Sequence, residues 1–172
     1  MNFNKQNYND YKIESLESYN VIISTANYVS SNGTFNSMNY AIDWDFLPDQ
    51  PYNVHFSYLG GVNNLTATGN DIANLFINFG CPNKTFLAGN TVSAINSTFL
   101  GVIKPYVLGA TSFLLAEDNT NPPIYISTRP SNNLFTVDIR DNLNALFFPT
   151  TGTLAPYKIV LKFIPVKNFL SN

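Results

Sequence analysis

His55 and Cys81 are the only histidine and the only cysteine in the 172-residue chain. A single imidazole excludes a multi-histidine metal centre and leaves no spare base for a Ser-His-Asp relay. A cysteine–histidine pair is the one nucleophile arrangement the inventory permits, since an imidazole beside a thiol can take its proton. Nothing in the spacing favours it. His55 falls on the polar side of an alternating segment, and Cys81 lies between Gly80 and Pro82 in an expected loop, as a small semi-buried apolar thiol would.

Asp43 and Asp45 flank Trp44. On one strand face their carboxylates would stand about 7 Å apart. That spacing suits a glycosidase pair or an oxygen-rich cation site, and it equally suits solubilising charges on an outer strand face. Residues 117–121, EDNTN, offer oxygen ligands without the spacing or glycine of a calcium loop, and read as a solvated turn before Pro122-Pro123. No glycine-rich loop could cradle a phosphate. No catalytic, cofactor-binding or metal-ligating residue is therefore assigned, no cofactor is expected, and an enzyme is not the expected reading.

The elements that would carry these side chains are strands. Residues 52–58, YNVHFSY, place Tyr52, Val54, Phe56 and Tyr58 on one face and Asn53, His55 and Ser57 on the other. Residues 133–140 alternate too, with Phe135, Val137 and Ile139 opposed to Leu134, Thr136, Asp138 and Arg140. Residues 38–46 read as one strand with Tyr40, Ile42, Trp44 and Phe46 on a common face, ended by the breaker LPDQP at 47–51. Further strands are expected at 19–29, 72–79, 98–103, 112–116, 124–128 and 157–164, with a turn at 30–33 and Gly60-Gly61 closing the strand from Tyr52. No helical period and no βαβ alternation appears, which predicts an all-β fold, a single antiparallel β-sandwich. Residues 1–18 read as a loose N-terminal arm and 19–172 as one domain.

Composition narrows the class. Charged residues make up 12% of the chain, about half the usual share of a soluble domain, and the formal net charge is −2. A charge-poor surface suits coverage by partners, although Asn, Ser and Thr also solvate it. Lys158, Lys162 and Lys167 gather near the C-terminus, but no basic stripe suggests specific nucleic-acid binding. No window approaches the length of a membrane span. The first residues lack the apolar core of a signal peptide, and the lone cysteine leaves no disulfide framework, so an intracellular, reducing compartment is expected. Sequons at Asn32, Asn64, Asn83 and Asn96 are what an Asn-, Ser- and Thr-rich chain produces by chance.

The run IYISTRPSNNLFTVDIRDNLNALFF at 124–148, then YKIVLKFIPV at 157–166, resembles the closing strands of single jelly-roll minor capsid and penton proteins. These belong to virophages, polinton-like viruses and related large DNA viruses of protists. The matching features are the Arg129-Pro130-Ser131 turn, the strand from Phe135 to Asp141 with Leu146 beyond it, and the Tyr157, Ile159, Leu161, Phe163 alternation. The likeness in pattern spans 19–166. It implies a jelly roll of about eight strands serving as a structural protein of an icosahedral virion, made in the host cytoplasm or viral factory. Its implied partners are copies of itself, as a homopentameric penton, and neighbouring major capsid proteins, which a minor component would cement with its N-terminal arm. Loops 47–51, 80–90 and 117–123 are the candidate contact surfaces. The competing reading is a carbohydrate-binding β-sandwich module or fibre head, with Trp44, Asp43 and Asp45 as the sugar platform.

Overall fold

The computed structural model describes residues 17–33, 35–63, 73–81, 85–87, 93–95, 97–108, 111–117, 120–141, 145–147 and 153–166. Most of the N-terminal arm and the sequons at Asn64, Asn83 and Asn96 lie outside them. Twelve antiparallel strands occur among these residues: β1 (Tyr19–Ser24), β2 (Ser30–Ser31), β3 (Ser37–Ala41), β4 (Tyr52–Asn63), β5 (Ala73–Ile77), β6 (Thr85–Leu87), β7 (Ser93–Ile95), β8 (Thr98–Leu108), β9 (Thr111–Ala116), β10 (Ile124–Ile126), β11 (Leu134–Arg140) and β12 (Thr153–Pro165).

Eight of them build the sandwich. One sheet runs β1-β12-β4-β9, and the other runs β3-β11-β5-β8. The eight principal strands in chain order thus contribute the first, eighth, third and sixth to one sheet and the second, seventh, fourth and fifth to the other. That interleaving is the jelly roll. Strands β2 and β10 extend the edges of β3 and β4, and β6 pairs with β7 as a separate ribbon. β8 belongs to both sheets: residues 98–103 pair with β5 and residues 104–108 with β9.

Alternation explains which side chains fill the gap between the sheets. Tyr52, Val54, Phe56 and Tyr58 of β4 face Tyr157, Ile159, Leu161 and Phe163 of the neighbouring β12 along one inner face, all buried. Met38 and Tyr40 of β3 and Phe135, Val137 and Ile139 of β11 come from the other. Strand β11 keeps its polar side wet except at Asp138, which is 9% exposed. There the carboxylate accepts from Ser37 Oγ at 2.8 Å and pairs with Arg140 at 2.7 Å, so a charge that alternation sends outward is shielded by its neighbours.

Three expectations are corrected. The strand expected over 38–46 ends at Ala41, and Trp44–Phe46 form a 3-10 turn. The Asp43 carboxylate accepts from Asp45 N at 3.0 Å and Leu47 N donates to Trp44 O at 2.9 Å, so local bonds replace the ladder. Similarly, the strand expected over 19–29 gives way at Thr25 to a 3-10 turn capped by Ser24. Gly60-Gly61 do not end β4, which continues to Asn63. They lie beside the bulge between Leu154 and Tyr157, where a Cβ on Gly60 would come within 2.8 Å of Tyr157 Cβ. Glycine here serves close approach inside a strand rather than a stop.

Beside that bulge sits a buried tyrosine cluster. The hydroxyls of Tyr40 and Tyr157 bond across the sheets at 3.2 Å, and the rings of Tyr58 and Tyr157 lie 5.3 Å apart. Burial raises the ionisation of Tyr40, Tyr58 and Tyr157 above the usual value near 10. Their native pKa values exceed those of the unfolded chain. The resulting stability is complete below about pH 10 and is lost as pH climbs beyond it, because the unfolded chain gives up protons that the native state holds. Alkaline titration should therefore release the tyrosinate absorbance of this cluster together with the loss of β-sheet circular dichroism. Full tyrosine ionisation with the sheet signal intact would contradict the packing.

Candidate functional site

The end of the sandwich where β3 passes to β4 and β10 to β11 carries a polar cleft. Trp44 is its anchor. The indole stands 5.7 Å from the Phe135 ring, 5.8 Å from Phe163 and 6.1 Å from Phe79, and so ties both sheets together. Its Nε1 donates to Asn132 O at 2.9 Å. The facing loop is fixed in turn by Ser131 N and Asn132 N, which both donate to Phe79 O, and by Ser131 Oγ, which donates to Gly80 O at 2.9 Å. Arg129 closes the arrangement, pairing with Asp45 at 2.7 Å and donating to Leu47 O at 3.2 Å. Above these residues lies an open cleft of about 410 Å³, edged by Asp45, Asp49, Thr128, Arg129, Ser131 and Asn133.

Chemically the cleft is limited. Asp43 is engaged in capping its own turn, and Asp45 is held by a guanidinium, so the two carboxylates do not face each other across a space for a glycosidic bond. The Arg129 charge beside Asp45 also opposes a bound cation. Among the described residues no group of three or more His, Cys, Asp or Glu could hold a metal ion. Trp44 is 1% exposed, so its ring fills the core and offers no face on which a sugar could stack.

The other singled-out residues lie apart. His55 points outward from β4, in register with Lys162 of β12. Cys81 packs against the core, and burial pushes its thiol up to about 12. The structure does not bring the pair together, and a thiol so raised is not a nucleophile near neutrality. In the turn after β9, Thr120 N and Oγ1 both bond to Glu117 O. Asn121 Nδ2 donates to Val102 O at 3.0 Å while its Oδ1 accepts from Val102 N at 2.9 Å, so this amide serves as a clamp on β8 rather than as an ion ligand. Of the candidate contact loops, 47–51 is only partly available, because Leu47 is wholly buried. Loop 80–90 contains β6 at Thr85–Leu87.

Sequence reasoning missed a second surface, on the outer face of the β1-β12-β4-β9 sheet. Ile22 pairs with Val160, Val160 with Ser57, Lys158 with Leu59, and Leu59 with Leu115, all on the side away from the core. Ile22 is 62% and Leu59 56% exposed. A shallow depression of about 450 Å³ lies here, lined by Ser57, Leu59, Leu115, Glu117, Lys158 and Val160. The signal was present in the sequence: Leu59 and Val160 occupy outward positions of strands whose inward set was already complete.

No protein-family model, curated protein or solved structure matches the chain. Among the described residues, no helix is long and apolar enough to cross a membrane.

Proposed function

We propose that the chain is a structural subunit of an icosahedral viral shell, a penton or minor capsid component that works through subunit contacts. The observation that carries this reading is the apolar outer face around Leu59 and Ile22. The outward side of an antiparallel sheet is ordinarily polar when it meets water. Leaving aliphatic side chains there costs about 25 cal/mol for each Å² exposed, a cost that a covering subunit removes. The low charge content points the same way, and the jelly-roll strand order is the fold that the resemblance to minor capsid proteins implies. On this reading the self-assembled form is a closed homopentamer, seated among major capsid proteins.

The test is imaging of the purified full chain by negative stain. Closed five-fold rings are the expected result. A dispersed monomer that binds glycans, and loses them on Asp49→Ala, would replace this reading with that of a carbohydrate-binding module using the end cleft.

A further inference from the structure

We infer that the outer sheet face around Leu59 receives the Asp43–Asp49 turn of a second copy, with Phe46 seated in the depression between Leu59 and Val160. The inference rests on the self-association proposed above and specifies which surfaces meet.

Charge complementarity selects the occupant. The turn presents the carboxylates of Asp43, Asp45 and Asp49, with the Arg129 guanidinium beside Asp45. The sheet face presents Lys158 and Lys162 from β12, and Lys104 from β8 opposite Leu115, with Glu117 at the rim. One surface is net acidic and the other net basic, so two copies attract in this orientation and repel when like surfaces meet.

Shape agrees with charge. Phe46 is 45% exposed at the end of the 3-10 turn, its ring 6.1 Å from the buried Trp44 ring, and the Asp43 carboxylate caps the turn at the preceding Asp45 N. It is a large apolar group already fixed in place, so burying it costs little side-chain entropy. The receiving depression is walled by Leu59, Leu115 and Val160. Acidic groups around an aromatic knob thus meet basic groups around an apolar hollow, which is how an aromatic anchor with a charged rim is built.

Position makes the contact directional. Leu59 lies seven residues along β4 from Tyr52, where the turn delivers the chain, which is about 23 Å of strand. One copy can therefore give its turn to one neighbour and its sheet face to another. Such a heterologous contact closes into a ring when the rotation allows.

Two full-chain variants test this: Leu59→Asp blocks the face, and Phe46→Ser with Asp49→Lys disables the turn. Both change exposed residues, and circular dichroism checks that each retains its sheets. In sedimentation velocity each variant alone should associate about tenfold more weakly than the natural chain, or worse. Mixed, they should form a 1:1 dimer, because the intact turn of the first meets the intact face of the second. Association of the natural chain should also weaken as salt rises. If the turn variant assembles like the natural chain, the turn is not the mate, although self-association stands. If no mixed dimer forms while both variants dissociate, the two surfaces do not meet each other. A natural chain that stays monomeric overturns both this contact and the reading on which it rests.

Discussion

Trp44→Ala should cost about 3–5 kcal/mol of folding stability, the range for removing a large buried aromatic. The site has every feature that places it at the upper end. The indole touches rings from both sheets, Phe135 on β11 and Phe163 on β12, so its loss opens a void where the layers are joined. It also strips Asn132 O of its donor, which leaves a carbonyl in the loop facing the cleft without its partner. Trp44→Phe should recover most of the packing but not the hydrogen bond, and so fall between the two. Guanidinium unfolding curves measure both variants. A loss below about 1 kcal/mol for the alanine would mean that the ring does not bridge the sheets.

The second large effect is expected at Gly101, in the part of β8 that pairs with β5, shortly before the strand crosses to the other sheet. Its φ of 151° lies in a region that side chains rarely adopt, next to the register shift opposite Leu75 and Phe76. A Cβ built there would lie 2.5 Å from Asn121 Cγ and 2.8 Å from Phe56 Cε1. Gly101→Ala must therefore push aside the amide that clamps Val102, losing two hydrogen bonds as well as straining a core ring. Together these should cost about 2–4 kcal/mol. The mechanism has a signature beyond its size. In an Asn121→Ala background the obstacle is gone, so Gly101→Ala should cost clearly less than in the natural chain. Equal costs in both backgrounds would show that the clamp is not what the methyl group meets.

These two positions also show where sequence reading succeeds and where it stops. Alternation through Tyr52–Tyr58 and Tyr157–Phe163 is legible because both strands lie inside a sheet with one face on the core, so period two is enforced at every residue. Alternation also placed Trp44 in the core, but it placed Phe46 on the same face, and Phe46 is exposed. The period fails there because the Asp43 cap turns the chain into a 3-10 turn after β3 has ended. Gly60 looked like a stop because glycine serves both turns and close approach, and only the neighbouring Tyr157 decides between them. Asn121 gave no signal, since its partner Val102 is 19 residues away and is chosen by the fold. The order of strands is of the same kind. That Tyr19 should pair with Phe163 depends on contacts between the two ends of the chain. The outer surface was half legible: Leu59 and Val160 stood out of phase, but their proximity needed the register.

The most direct measurement is the mass of the full chain by light scattering across a wide range of protein concentration. A species at a fixed multiple of the 19.2 kDa chain, five-fold for a vertex, that persists on dilution is the result expected of a self-assembling shell subunit. A monomer at every concentration would contradict it and would leave the apolar sheet face without a second copy to cover it.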